Sequence, residues 1–341
     1  MNHELSTIPP TAAVMKILMG LVSSSAVSAV ARLGIADHLE NGAITAQELG
    51  TKVGADPELL SRLMRATSGL GVLAQTSDGK WEQTALSDVL RSTAPATLRD
   101  VAIMFADDWH VRTVGSLHET VRTGQLAVDR IYGMPAFKYF ETDTEAAEHF
   151  NRAMTSFSTT EALAIAKAYD FSDVRSVAEV AGGHGLFLAS ILERYPDMTA
   201  TLLELPQVVE TIEQGPLGRF GNRVKVVEGD MFRAVPAGAE AYIMKRIIHD
   251  WSDDQSMKIL SACRASIPKN GRLLVIDSIL PADTSFSPVK FMDLIMMLFS
   301  GGKERTEEEF RILFARAGWR LNRIIPTASP LSIIEGLPAS M

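Results

Sequence analysis

The sequence predicts an α/β protein: a parallel doubly wound sheet in its C-terminal half, preceded by a mostly helical segment that ends in a hairpin. Three observations carry this expectation. From Ser176 onward, short apolar runs alternate with helical ones, the pattern of βαβ units. The first run, Val177-Ala178-Glu179-Val180, breaks into Ala181-Gly182-Gly183-His184-Gly185, a glycine turn between a strand and a helix. Near the N-terminus, two helix-start signals precede two strand-like runs flanking Ser77-Asp78-Gly79.

The chain has 341 residues, more than one core usually serves. Its net charge of -8 argues against coating a nucleic acid, because such affinity rests on neutralising phosphates. The single cysteine, Cys263, allows no internal disulfide and no cysteine-based metal site. It falls in a helical pattern and reads as a buried thiol. A reducing, cytoplasmic setting fits.

In chain order, Ile17 to Ala31 is apolar but shorter than the roughly 20 residues a spanning helix needs. It also carries Ser23, Ser24, Ser25 and Ser28, and Met1 to Pro10 has no Lys or Arg to start a signal peptide. It reads as a long soluble helix that a second copy of the chain would cover. Thr45 with Glu48 forms a capping box, and Asp56-Pro57 starts a helix with Leu59, Leu60, Leu63, Met64 and Ala66 as its apolar face. Val72–Ala74 and Lys80–Glu82 then pair across the turn. Helix, helix, hairpin is a winged-helix arrangement. Asp37 to Arg91 carries more acids than bases, which favours a structural or dimer role over DNA binding.

Residues 96 to 170 read as all helical, including a long helix from Glu145 to Ala168. The βα alternation follows: strands at 176–181, 199–203, 224–228, 241–245 and 272–277, helices at 185–195, 206–213 and 253–266. A helix from Glu307 to Ala317 stops at Gly318, and Leu331 to Glu335 is a late strand.

Ligands of a doubly wound sheet sit at the carboxyl ends of its strands. Gly182, Gly183 and Gly185 lie there, where glycine lets backbone approach a ligand and frees the next helix's amides; an unliganded tight turn is the plain alternative. Leu188 stands where a dinucleotide fingerprint needs Gly or Ala, which counts against NAD. Glu204 ends the second strand and can accept from a ribose diol. Asp230 after the third can accept from an adenine amino group, with Met231 and Phe232 covering the base. His249, after the fourth strand and beside Asp250 and Trp251, can take a proton from a hydroxyl. Asp277 and Glu304 are the carboxylates available to hold its ring; Glu304 can equally be a loop acid before the helix capped by Thr306 and Glu309. Acceptor-pocket candidates are Phe150, Asn151, Met154 and Phe157 on the long helix, then Phe291, Met292, Asp293 and Met296, each also readable as ordinary core. Asp250 and Trp251 join them beside the base, and His110 and His149 are weaker candidates. A methionine-rich wall adapts to flat rings.

Ala-Gly-Gly-His-Gly, Leu-Glu-Leu-Pro, Gly-Asp-Met-Phe, the run Lys245 to Trp251, and Gly-Gly-Lys-Glu-Arg-Thr at 301–306 occur in order. Together they resemble the S-adenosylmethionine-dependent O-methyltransferases of the caffeate/hydroxyindole type, a pattern shared by bacterial natural-product enzymes. The resemblance covers nearly the whole chain and implies a Rossmann-like class I methyltransferase domain at 171–341. It also implies a winged-helix-like dimerisation domain at 1–100 and, between them, a helical connection at 101–170 that contributes to the acceptor pocket. S-adenosylmethionine would be the cofactor, with S-adenosylhomocysteine as product and no metal, in a homodimer with neither nucleic-acid nor membrane partner. Ala181, Gly182 and Gly183 would cradle its methionine moiety, Glu204 its ribose, Asp230, Met231 and Phe232 its adenine, and Lys245 would touch it from the fourth strand. His249 would be the general base, supported by Glu304 and Asp277, and the acceptor a small aromatic hydroxyl compound. N-methylation, or cofactor-assisted hydroxylation or decarboxylation, is the alternative on the same fold. Two departures stand out: Ala181 replaces a first glycine, and Asp277 replaces a longer Glu.

Overall fold

The computed structural model describes residues 7–212 and 215–339. The chain forms two compact units. The first holds the described residues up to Thr123 together with Asp129–Phe157; the second holds Gly124–Val128 and the described residues from Ser158.

The first unit opens with helices Pro10–Leu18 and Gly20–Arg32, so the expected single helix is interrupted at Met19. Val14, Ile17, Leu18, Leu21 and Val22 on these helices are exposed. By length and composition alone the stretch Pro10–Arg32 is long and apolar enough to cross a membrane. The capping box of Thr45 and Glu48 forms, and Asp56 caps Leu59 N at 2.9 Å. On helix Pro57–Ser68 the inward positions are Leu60, Met64 and Thr67, four and seven residues apart. Leu59 and Ala66, expected on that face, point outward because the 3.6-residue period carries them past it. Thr67 is tolerated inside because its hydroxyl donates to Leu63 O at 3.0 Å. Strands β1 (Leu73–Gln75) and β2 (Trp81–Gln83) form the hairpin, and Trp81 is buried among Val30, Ile35, Leu39 and Leu49.

The second unit is built on a seven-stranded sheet: β3 (Ser176–Val180), β4 (Thr199–Glu204), β5 (Val224–Glu228), β6 (Ala241–Lys245), β7 (Arg272–Asp277), β8 (Trp319–Pro326) and β9 (Ser332–Pro338). Their spatial order is β5-β4-β3-β6-β7-β9-β8. β3 to β7 are parallel; β9 runs antiparallel to both β7 and β8. β8 was not expected: Arg320, Asn322 and Arg323 break its apolar pattern, and its outward positions face solvent at the sheet's edge. Apolar clusters cover both faces, one around Phe187, Leu188 and Ile243, the other around Tyr242, Met244, Phe310 and Phe314. Cys263 lies buried in the second. The helix expected over 206–213 runs from Pro206 to Ile212, and Glu213 lies outside the described residues. Strand order reverses between β3 and β6, so the ligand crevice of the fold opens there.

Candidate active site

On the β3 side the site is made largely of main chain. Ala181 has φ 55, a left-handed conformation that costs an L-residue about 1–2 kcal/mol. Its N–H donates to Leu203 O at 2.9 Å, tying the turn to β4. Gly182 packs directly on Glu179: a Cβ there would come within 2.3 Å of the Glu179 carboxyl carbon. Glu204 accepts from Gly183 N at 2.6 Å and from Leu205 N at 2.9 Å. Burial holds its carboxyl above the usual range, against the pull of those two amides. Each carboxylate oxygen retains a lone pair for a ligand hydroxyl. His184 is exposed.

Asp230 accepts from Phe232 N at 2.9 Å, which leaves Asp230 Oδ2 toward Arg233 at 3.5 Å. Phe232 meets Trp251 edge to face at 4.9 Å, so an adenine-side candidate and an acceptor-side candidate share one aromatic contact.

Glu179 was missed in the sequence, although an acid inside an apolar strand is a visible signal. It is buried, and its Oε2 has no hydrogen-bond partner. Burial pushes its pKa up to about 8, with Lys245 pulling the other way. An orphaned acceptor beneath Gly182, where no side chain fits, suits a ligand that brings a donor or a positive charge. The donor set therefore fits S-adenosylmethionine, an amino acid joined to a nucleoside through a sulfonium.

On the β6 side, Lys245 and Arg246 end the strand. Among the described residues Arg246 is the other non-glycine residue with positive φ, at 56. Lys245 Nζ donates to Ser158 Oγ at 3.1 Å and to Glu161 at 3.4 Å, and Arg246 donates to both oxygens of Glu161. Glu161 gave no signal in sequence, since an acid on an amphipathic helix is ordinary.

The base corner follows in the single turn Ile248–Asp250. His249 is buried, and Nδ1 lies 3.0 Å from Glu304 Oε1. Its other nitrogen is 3.7 Å from Asp250. Burial works against the imidazolium, but Asp277, Glu304 and Asp250 outweigh it and push the ring's pKa up to about 9. Asp277 is fully buried and both its oxygens lack hydrogen-bond partners, so it acts on His249 by charge and not by a bond. Burial pushes its carboxyl up to about 7, against the pull of His249 and Arg246. Asp250 is raised by burial as well.

The loop carrying Glu304 is fixed by contacts that the sequence did not reveal. Gly302 lies so close to the turn that a Cβ would come within 1.9 Å of His249 O. Arg305 is buried and donates to Ile248 O (2.9 Å), Trp251 O (2.9 Å), Asp253 Oδ1 (2.8 Å) and Ser256 Oγ (3.2 Å). It thereby binds the main chain on both sides of His249. Asp293 accepts from Glu304 N at 2.8 Å, anchoring the same loop. Met296 is buried, Met292 half-buried and Phe291 exposed.

The other acceptor candidates lie in the first unit. Phe150 stacks on Phe140 at 4.7 Å and meets Trp109 at 6.4 Å. Met154 and Phe157 are half-buried and Asn151 is exposed. His149 Nδ1 is 3.0 Å from Asp107, which also pairs with Arg32. His110 contacts Phe105 O at 3.1 Å, and burial lowers its pKa. Among the described residues no group of three or more His, Cys, Asp or Glu is placed to hold a metal ion.

Comparison with known proteins bears on this geometry. The O-methyltransferase domain matches residues 115–320, and the O-methyltransferase dimerisation domain matches residues 15–93. Phenazine O-methyltransferase PhzM of Lysobacter antibioticus is 34% identical over 338 residues, covering 99% of each chain. An 8-amino-8-demethylriboflavin N,N-dimethyltransferase of Streptomyces davaonensis is 30% identical over 312 residues, 90% of this chain and 89% of that one. The solved structure of CalO1, a methyltransferase in calicheamicin biosynthesis with S-adenosylhomocysteine bound, superposes with a TM-score of 0.88. It is 35% identical and covers 97% of this chain and 98% of its own.

Proposed function

This chain belongs to the S-adenosylmethionine-dependent O-methyltransferases, and on that premise we propose that it methylates a hydroxyl of a small aromatic acceptor with His249 as general base. The observation that carries the base assignment is the 3.0 Å contact between His249 Nδ1 and Glu304. A carboxylate there accepts the Nδ1 proton and leaves the lone pair of Nε2 for the acceptor hydroxyl.

S-adenosylmethionine, when bound, supplies a methyl group electrophilic enough to need no metal. Gly182 and Gly183 would hold its amino-acid end, with Glu179 beneath them. Glu204 would take the ribose, and Asp230, Met231 and Phe232 the adenine. The chain's own work is to align the acceptor oxygen and to move one proton, from that hydroxyl to His249 Nε2, as the oxygen takes the methyl group. On the second unit Met292 and Met296, with Asp250, Trp251 and Asp293, are proposed to meet the acceptor; on the first, Phe150, Asn151, Met154 and Phe157 are the acceptor candidates. Aromatic acceptors are supported by the names of relatives such as the phenazine enzyme. We further read residues 1–100 as a dimerisation domain, which the dimerisation match over 15–93 supports, 101–170 as an acceptor-side connection and 171–341 as the catalytic domain, in a homodimer that we place in the cytoplasm.

Methylation of nitrogen is the second reading, favoured by the riboflavin-type N,N-dimethyltransferase among the relatives. Oxygen is preferred because a hydroxyl needs a base as strong as the carboxylate-supported His249. The test is a methyl-transfer screen over phenols, phenazines and aromatic amines, read by mass. His249→Ala should retain S-adenosylhomocysteine binding by calorimetry and lose about 10²–10⁴-fold in kcat. Near-full turnover of a phenol by that variant would overturn the base assignment.

A further inference from the structure

Glu161 belongs to none of the roles assigned so far. It is 2% exposed on helix Thr144–Ala168, and two cations converge on it. Arg246 grips it through Nε at 3.1 Å to each oxygen and again through Nη2. Lys245 Nζ reaches it at 3.4 Å while also donating to Ser158. Both cations are at the end of β6, on one side of the crevice where strand order reverses. Across it lie the turn at Ala181 and the buried Glu179, whose charge is felt by Lys245. Arg246 is also within the field of Asp277 and Glu304.

The methyl donor is a cation and its product is neutral, because the bonding pair of the broken C–S bond stays on sulfur. Two largely buried positive charges at the crevice would oppose the donor more than the product. We propose that Glu161 is a positioning residue and counter-ion that cancels this opposition. It turns Lys245 and Arg246 inward upon itself and so keeps the crevice receptive to a sulfonium over a thioether. Glu161 thereby sets how strongly the enzyme is inhibited by its own product. The inference rests on the cofactor assignment made above.

The experiment is calorimetry of S-adenosylmethionine and S-adenosylhomocysteine with the full-length protein and with Glu161→Gln, an isosteric change whose folding is checked by thermal unfolding. The donor's Kd should rise about tenfold more than the product's, the scale expected for one uncompensated charge about 12 Å away at an effective dielectric near 20. The paired variant Glu161→Gln/Arg246→Gln removes one charge of each sign and should restore the ratio. A merely structural role would weaken both ligands equally in the single variant, and that result would overturn the proposal. Failure of the unsubstituted protein to bind either ligand would instead remove the cofactor assignment itself.

Discussion

At the end of β3 the ligand edge is main chain: a left-handed Ala181, a glycine packed on Glu179, and backbone amides from Gly183 and Leu205 held by Glu204. At the end of β6 it is side chains: Glu161 under Lys245 and Arg246, Glu304 on His249, and Arg305 fastening the carbonyls around it. On the proposed reading the two sides do different work. A cofactor with fixed shape is received by backbone, which has few alternative positions. A base must be both oriented and tuned in charge, which only side chains can do. The β3 side should therefore tolerate substitutions that respect φ and ψ, whereas the β6 side should fail in activity whenever one charge or donor is lost.

The largest expected effect comes from Glu304→Gln. The amide can offer a donor to Nδ1 and trap the unproductive tautomer, so kcat should fall about 10³-fold. Glu304 is one of the groups raising the His249 pKa to about 9. Its loss should move the acid limb of kcat/KM against pH to lower pH, because the neutral base becomes available sooner. Stability should change in the matching direction. A ring whose folded pKa lies above its unfolded value stabilises the protein fully below about pH 6.5, and loses that contribution as pH rises through about 9. The variant should show a weaker decline of unfolding free energy across that window. An unmoved acid limb would detach Glu304 from the base.

Next in size is Arg305→Lys. A lysine has one ammonium for the five partners, Lys303 O among them, that the guanidinium fork serves, so buried carbonyls of Ile248 and Trp251 would be stranded. Chemical denaturation should show a loss of about 3 kcal/mol. Turnover should fall about tenfold, with S-adenosylhomocysteine affinity kept, because the arginine holds the main chain on both sides of His249 and does not touch the β3 side. Equal losses in cofactor affinity and in kcat would erase the contrast between the two sides.

This contrast also explains what could be read in advance. The positions of the glycine turn, of Glu204 after β4 and of His249 after β6 were legible because strand ends leave a local pattern, an apolar run followed by small residues or by one polar residue. The pairing of His249 with Glu304 was legible because both lie in short distinctive runs. Glu161 was not, since nothing near it in sequence distinguishes a counter-ion from a solvated helix acid; its two partners lie 84 and 85 residues away. Arg305 stood in the motif with nothing beside it to mark it as buried, and only its burial shows a clamp. Strand β8 escaped for a related reason: an edge strand with arginines lacks an apolar face to announce it. The break at Met19 had no glycine or proline to mark it other than Gly20, which the helix itself absorbs.

The smallest effect should come from Ala181→Gly, and its sign is informative. The left-handed φ of 55 costs alanine about 1–2 kcal/mol relative to a right-handed conformation. Glycine removes that cost but gains freedom in the unfolded chain, which returns about 0.4–1 kcal/mol. The remainder favours the variant by about 0.5–1 kcal/mol, measurable as a higher denaturation midpoint at unchanged slope. Turnover should stay within about twofold, since the N–H to Leu203 O survives the change and no side-chain donor is lost. A destabilised variant would mean that the Ala181 methyl packs favourably enough to offset its strain, and that the β3 side too depends on side chains.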